Sequence, residues 1–243
     1  MLQPLPPAND TTLKSMSASG LGEELSALLS VATNHKSLPK NEVILCHGDP
    51  ADTLWLLLSG WVKLVRQTPN GRETIIGLCS GFDLFGEAAL FPHGHYPYYA
   101  ETLTDCTFAQ VPAAVVRRMV ESNNAVSKWL MALLGERIQQ AQLKLEHMST
   151  LSAPQRLACF LLRLCKNQDD AHHIHIPVDK QIIASFLGMK PETLSRSFQQ
   201  LKEQGISVKA DMLTVSSVSR LKNFVCGSCS ESGMCETEES LTP

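Results

Sequence analysis

Three cysteines near the C-terminus of this 243-residue chain have the spacing of metal ligands. Cys226, Cys229 and Cys235 form a C-x2-C-x5-C pattern whose spacers are rich in glycine and serine. Small spacer residues let the backbone bend, so three thiolates can reach one soft metal centre. The pattern predicts a metal site in the last eighteen residues.

The same cysteine pattern allows other chemistry. A zinc ion could take the thiolates together with one histidine, and the candidates are His172, His173 and His175. Cys226 and Cys229 could instead form a redox disulfide. The segment could also be an acidic extension that carries exposed thiols, because its last eighteen residues hold four glutamates and no Lys or Arg.

Residues 181–205 have the apolar spacing of two short helices joined by a tight turn. Gly188 ends the first helix and permits the positive φ that a turn needs. Pro191 fits the first turn of the second helix, where its missing N–H has no cost. Leu194 and Phe198 recur at helical spacing and are expected to face inward. The segment therefore predicts a helix-turn-helix.

The other face of the second helix is polar and consists of Glu192, Thr193, Ser195, Arg196 and Gln199. In a helix-turn-helix such a face enters the major groove, where arginine bonds guanine and glutamate accepts from cytosine. Lys190 and Lys202 flank this face and could bind DNA phosphates. We therefore predict that the segment binds double-stranded DNA. The alternative is an ordinary helical hairpin with a solvated polar face.

Composition limits the function classes. The net charge of −3 argues against a globally basic nucleic-acid binder, although residues 179–222 hold seven basic and four acidic residues. No apolar run is long enough to span a bilayer, and the N-terminus lacks a signal-peptide pattern. We expect a cytoplasmic protein with no membrane partner, whose eight cysteines are reduced thiols or ligands. No Ser/His/Asp set, zinc-protease motif or phosphate loop is present, which argues against an enzyme.

Short apolar runs separated by glycine and proline turns fill residues 35–111. Their spacing of about ten residues is typical of antiparallel strands in a small barrel or sandwich. The predicted strands are 42–46, 53–59, 61–67, 73–79 and 102–111. A short helix at 113–121 follows, so the chain combines a β-rich half with a helical half.

A long helix is predicted from residue 123 to about 149, with a narrow apolar stripe typical of a coiled-coil seam. The stripe consists of Val126, Leu130, Leu134, Ile138, Ala141, Leu145 and Met148. We predict that it pairs two copies of the chain, since helix-turn-helix readers bind paired half-sites. The alternative is packing of the stripe against the β-rich half.

These elements give an α+β fold in five parts. They are a flexible arm (1–20), an antiparallel β-roll sensor domain (21–122), a dimerisation helix (123–151), a winged helix-turn-helix domain (152–225) and a cysteine-containing acidic tail (226–243). Residues 206–215 are predicted to form the hairpin of the wing, and residues 217–225 a closing helix.

The order of these parts resembles the CRP/FNR superfamily of transcription regulators. The motifs that carry the resemblance are Gly48-Asp49, Leu58-Ser59-Gly60, Gly86-Glu87 and the 191–196 sequence PETLSR. The Glu-x-x-Ser-Arg face is similar to the FNR branch. This resemblance implies a homodimer that reads a TTGAT-like palindrome and has RNA polymerase as a partner. Ser197 departs from the pattern, which usually has an apolar residue there.

The resemblance also bears on which ligand the predicted sensor domain binds. In the cyclic-nucleotide branch, an arginine soon after Gly86-Glu87 would hold the cyclic phosphate. Here no Arg or Lys lies between Arg72 and Arg117. Because a buried anion needs a cation or charge-assisted donors, this argues against cyclic AMP and makes Glu87 structural.

The cysteine tail is similar to that of variant FNR regulators of the Bacillus type, which implies a [4Fe-4S] cluster. Those proteins complete the site with an aspartate on the dimer helix, but residues 123–151 contain none. Cys159 and Cys165 are therefore candidates for the fourth ligand.

Two further alternatives remain open at the level of sequence. A histidine of the β-roll could be the axial ligand of a haem, as in the nitric-oxide-sensing branch, and the candidates are His35, His47, His93 and His95. The chain could also be an interaction protein that no longer reads DNA, although Glu192, Ser195 and Arg196 argue against this.

Overall fold

A computed structural model describes residues 29–32, 34–67, 69–71, 73–165, 172–176, 178–209 and 212–225. The predicted arm, the first residues of the predicted β-roll domain (21–28) and the whole cysteine tail lie outside the described residues. The chain is divided into two compact units, Met1–Ile138 and Gln139–Pro243. Their boundary falls within the long helix.

The first unit is an antiparallel β-roll made of two four-stranded sheets, in the orders β1-β8-β3-β6 and β2-β7-β4-β5. The strands are β1 (Asn34–Leu38), β2 (Val43–Leu45), β3 (Thr53–Ser59), β4 (Val62–Gln67), β5 (Glu73–Cys79), β6 (Leu84–Phe85), β7 (Tyr99–Thr102) and β8 (Cys106–Pro112). The α+β class and the predicted β-roll are confirmed. The predicted strand at 102–111 is divided between the end of β7 and β8.

The core of the roll is centred on β3, whose residues 54–57 are all buried because the strand lies between β8 and β6 and is covered on both faces. Trp55, Phe85 and Phe108 form an aromatic cluster, with ring centroids 5.7 to 6.1 Å apart. Edge and offset contacts of this kind add to the stabilisation from apolar burial. The cluster fixes β6, and therefore the Gly86-Glu87 segment that follows it.

Helix α1 (Ala113–Ser122) follows β8, and the long helix α2 (Asn124–Thr150) follows α1. Val126 and Leu130 are 1% and 5% exposed, and both belong to the core of the roll. They were predicted to lie on the dimer seam, and this assignment is wrong, because the first turns of α2 pack on the roll of their own chain. Their burial is instead the predicted alternative of packing against the β-rich half.

The second unit contains the end of α2 and a winged helix-turn-helix domain. Its elements are α3 (Ala153–Leu164), β9 (His172–His175), α4 (Lys180–Phe186), α5 (Pro191–Leu201), β10 (Ile206–Lys209), β11 (Met212–Val215) and α6 (Val218–Val225). The sheet has the order β10-β11-β9, so the predicted hairpin is present and β9 pairs with it. A reciprocal capping box of Ser152 and Gln155 begins α3.

Candidate nucleic-acid interface and ligand segment

Helix α5 begins at Pro191, after Lys190 in an extended conformation, as the sequence predicts. Its inner face is closed by Leu194 and Leu201, both of which have no exposed surface. Ser197 is also buried, and its hydroxyl donates to the carbonyl of Thr193 at 2.9 Å. A serine fits this apolar face because its only polar group is bonded within the helix.

The outer face of α5 is open to solvent. Glu192, Ser195, Arg196 and Gln199 are exposed, and Thr193 is half-buried. The Ser195 hydroxyl donates to the carbonyl of Pro191 at 3.0 Å. Within the described ranges, neither Glu192 nor Arg196 belongs to an ion pair. Both charged groups are therefore available to an external partner.

Basic residues flank this face. Lys190 precedes α5 and Lys202 follows it, and both are exposed. Glu192 lies in the first turn, where its charge also suits the positive end of the helix dipole. The arrangement places one acidic and one basic side chain on the outside of one helix, with a lysine at each end.

The turn before α5 leaves no room for a side chain at its glycine. Gly188 has φ +63°, and a Cβ atom there would lie 2.6 Å from Cε of Met148. Any other residue would therefore be strained and would displace Met148. Met148 was predicted to be a seam residue; it lies near this turn but is 47% exposed, so its place on the seam stays a prediction. Lys144, one turn earlier, places its Nζ 4.0 Å from the ring centroid of Phe186.

Large apolar side chains remain exposed along α2. Met131, Ile138 and Leu145 are 65%, 60% and 72% exposed and follow one another at intervals of seven residues. Leu134 is half-buried and Ala141 is exposed between them. The sequence interpretation missed Met131, because it assigned the neighbouring Leu130 to the stripe. Strict seven-residue spacing back from Ile138 would have found it.

The Gly86-Glu87 segment in the roll is tightly packed. Gly86 has φ +83°, and a Cβ atom there would lie 3.1 Å from the carbonyl oxygen of Thr53. The Gly86 N–H donates to the Tyr98 hydroxyl at 2.8 Å, and this hydroxyl donates to Glu87 Oε2 at 2.9 Å. Burial raises the pKa of Tyr98, so it stays a phenol that can donate.

Two arginines from distant parts of the chain contact the same segment. Arg137 on α2 forms an ion pair with Glu87 and donates to the Leu84 carbonyl. Arg117 on α1 donates to the Ala89 carbonyl at 2.9 Å. Neither contact was predicted, because both arginines lie outside the interval between Arg72 and Arg117 in which a phosphate-binding cation was expected. The structural role predicted for Glu87 has a specific partner here, Arg137.

Burial lowers the pKa of Arg137, while the nearby groups Cys79 and Asp83 raise it. Burial also raises the pKa of Cys79 to about 12, so this thiol is protonated at neutral pH. The pKa of Cys165 is likewise raised, to about 11, by burial. These buried thiols therefore resemble structural cysteines and not reactive ones.

Metal-binding groups are not brought together in the part of the chain that the structure describes. No cluster of three or more His, Cys, Asp or Glu residues there could hold an ion. The four roll histidines proposed as haem ligands are each exposed: His35, His47, His93 and His95. The tail ligands Cys226, Cys229 and Cys235 lie outside the described residues. No described helix is long and apolar enough to cross a membrane.

Comparison with known proteins identifies both units. Residues 35–123 match the model of the cyclic nucleotide-binding domain, and residues 155–224 match that of the Crp-like helix-turn-helix domain. A crystal structure from Ruegeria pomeroyi, described as a cyclic nucleotide binding protein, is 31% identical with a TM-score of 0.66. The match covers 86% of this chain and 93% of that one.

FixK2 from Bradyrhizobium japonicum has the same fold, with a TM-score of 0.71 at 23% identity over 80% of this chain and 98% of that chain. The CRP-like cAMP-activated global transcriptional regulator of Mycobacterium tuberculosis is 24% identical over 188 residues, which are 75% of this chain and 84% of that protein. The anaerobic regulatory protein of Pasteurella multocida is 25% identical and covers 79% of this chain, with 72% of its own length matched.

The architecture is therefore that of a transcription regulator with a nucleotide-binding-type roll and a helix-turn-helix. The chain belongs to the CRP/FNR superfamily of transcription regulators.

Proposed function

We propose that this chain is a homodimeric, sequence-specific DNA-binding regulator whose helix α5 reads the major groove. The observation that carries the proposal is the exposure of Glu192, Arg196 and Gln199 on a helix whose opposite face is buried. Such a helix displays base-reading groups without weakening its own packing.

The specificity that we propose follows from these side chains. Arg196 donates to guanine O6 and N7, and Glu192 accepts from cytosine N4. Together with the PETLSR motif, which is similar to the FNR branch, this favours a palindrome of TTGAT-like half-sites. Lys190 and Lys202 bind backbone phosphates and fix the register without reading bases.

Dimerisation is part of the proposal because a palindrome requires two reading helices. The seam that we propose consists of Met131, Leu134, Ile138, Ala141 and Leu145 on α2. Exposed apolar residues at heptad spacing on a long helix favour a coiled-coil partner of the same sequence. We further propose the cytoplasm as the site of action and RNA polymerase as a partner, both from the family resemblance.

The reading face is tested by fluorescence anisotropy with a TTGAT palindrome and a scrambled duplex. Arg196→Ala should lose about 1–3 kcal/mol of binding free energy on the palindrome only. Lys202→Ala is the matched control, and it should weaken both duplexes equally and reduce the salt dependence. Equal losses on both duplexes for Arg196→Ala would contradict the assigned face. Failure of the wild-type chain to bind any duplex would favour an interaction protein.

For the signal, we propose a [4Fe-4S] cluster on Cys226, Cys229 and Cys235, sensitive to oxygen, nitric oxide or redox state. The proposal is supported by the C-x2-C-x5-C spacing of these cysteines and by the small residues between them. Haem in the roll is the second candidate, but the exposure of its candidate histidines gives it no support.

Anaerobically purified protein distinguishes these cofactors by its absorption spectrum. A broad brown band indicates an iron–sulfur cluster, a sharp Soret band indicates haem, and a colourless protein indicates zinc or an empty site. Cys226→Ala, Cys229→Ala and Cys235→Ala should each abolish the cluster, whereas Cys46→Ala, in the roll, is the control and should not. Truncation after Val225 that leaves the spectrum intact would contradict the tail as the cluster site.

A further inference from the structure

The roll matches a cyclic nucleotide-binding domain, so its fit to such a ligand can be tested on the residues present. A cyclic phosphate is an anion, and its burial requires a cation or charge-assisted donors. In the described part of the chain, Arg117 and Arg137 are the arginines that contact the segment following β6, through the Ala89 carbonyl and the Glu87 carboxylate respectively. Both already have partners within this chain.

The partner of Arg137 is a full negative charge. The Glu87 and Arg137 side chains are 19% and 31% exposed, so the ion pair is largely shielded from water. Glu87 also accepts from the Tyr98 hydroxyl, and Arg137 also donates to the Leu84 carbonyl. Freeing the guanidinium for a phosphate would leave the Glu87 carboxylate with an unpaired charge, which is costly at a shielded site.

The uncharged hydrogen-bonding groups beside the ion pair also have partners within the chain. The Gly86 N–H, a potential donor to an anion, donates to the Tyr98 hydroxyl. The Tyr96 hydroxyl donates to the Thr53 carbonyl at 2.7 Å, and both tyrosines are buried. The residues present therefore do not fit a cyclic nucleotide.

We infer that this roll works without a cyclic nucleotide, because the Glu87–Arg137 ion pair itself links the Gly86-Glu87 segment to the long helix. The link acts on the part of α2 that displays Met131 and Ile138. Fixing this turn against the roll fixes the surface that we propose for the second copy. The pair is thus an internal tether that holds the chain competent to dimerise and bind DNA. This inference rests on the proposed DNA-binding function for its second readout only.

The first measurement is calorimetric titration of the full-length wild-type protein with cyclic AMP and with cyclic GMP. Neither should bind. Binding of either nucleotide would overturn the inference. This titration requires no DNA and decides the ligand question even if the proposed function fails.

The second measurement is DNA affinity in the variants Arg137→Met, Arg137→Lys and Glu87→Gln, with the exposed Arg118→Met on α1 as control. Arg137→Met and Glu87→Gln should each weaken DNA binding by about tenfold, and the double variant should lose little more. Arg137→Lys, which keeps the charge, should retain part of the affinity, and Arg118→Met should match wild type.

A purely structural pair would behave differently. It would lower the unfolding temperature of Arg137→Met but leave the DNA affinity of the folded dimer unchanged, and this result would overturn the tether. If Arg137→Met does not fold, Arg137→Lys and Glu87→Gln supply the same comparison. Wild-type protein that binds no palindrome would instead contradict the proposed function.

Discussion

The segment after β6 in the roll and the recognition helix α5 use polar side chains in opposite ways. In the roll, Glu87, Tyr98 and Arg137 bond to one another and to backbone groups of the same chain. On α5, Glu192 and Arg196 are exposed, and among the described residues they form no ion pair. The first arrangement stabilises the chain, and the second leaves binding groups available to a partner.

A match to a family model therefore does not by itself show which ligand a domain binds. Both segments lie in domains that match family models, yet in the described part of the chain the Glu87 and Arg137 side chains are paired with each other, whereas Glu192 and Arg196 form no ion pair. A binding fold whose charged groups are paired internally can be retained for its mechanical role. The variants below test first the exposed groups and then the groups of the roll that are paired within the chain.

The largest effect is expected for the apolar groups displayed on α2. Ile138→Glu should weaken dimerisation by about 3–5 kcal/mol, because it would bury an unpaired carboxylate between two copies. Ile138 is 60% exposed in the single chain, so folding of each subunit should be unaffected. Analytical ultracentrifugation measures the loss of dimer, and circular dichroism checks the fold.

Gln139→Glu is the matched control, because residue 139 is the exposed neighbour of Ile138 on the same helix. It adds the same charge outside the proposed seam and should leave the dimer intact. If both variants remain dimeric, the seam lies elsewhere. If both become monomeric, the effect is a general response of α2 to added charge.

A smaller effect is expected for the internally paired groups of the roll. Tyr98→Phe removes the hydroxyl that accepts from Gly86 N–H and donates to Glu87. The free energy of unfolding should fall by about 1–3 kcal/mol, because buried polar groups lose their partner. Urea denaturation followed by Trp fluorescence measures it.

Tyr99→Phe, at the next position along the chain, is the control for this loss. Tyr99 is only half-buried, so water can replace any bond of its hydroxyl, and the change should be within about 0.5 kcal/mol. Equal stability of the two variants would show that the Tyr98 hydroxyl contributes nothing specific.

The contrast between the segment after β6 and helix α5 also explains which structural features could be predicted from the sequence. The helix-turn-helix was predictable because Leu194 and Leu201 repeat at helical spacing, and that spacing leaves Glu192 and Arg196 outside. The β-roll followed from strand spacing and turn residues. Both depend on neighbours within a few positions of the chain.

The tether was not predictable in this way. Glu87 and Arg137 are fifty residues apart, and no local pattern on α2 indicates that Arg137 faces the roll. The same limit caused the wrong assignment of Val126 and Leu130, since an apolar stripe does not say which surface it meets. Helical periodicity defines a face, but tertiary packing selects its partner.

The smallest effect is expected at Ser197, where the sequence departs from the family pattern. An apolar residue is usual there. The Ser197 side chain is buried, and its hydroxyl donates to the Thr193 carbonyl, so this polar group is not left unsatisfied.

Ser197→Ala removes this bond but gains helix propensity, and these small terms nearly cancel. In Ser197→Ala the free energy of unfolding should change by less than about 0.5 kcal/mol, and the affinity for the palindrome should stay at the wild-type value. Ser197→Asp should instead unfold α5, because it buries a charge. Thermal denaturation measures the stability and anisotropy the affinity, and a stability loss above about 1 kcal/mol in Ser197→Ala would show that the bond to Thr193 contributes more to α5 than expected here.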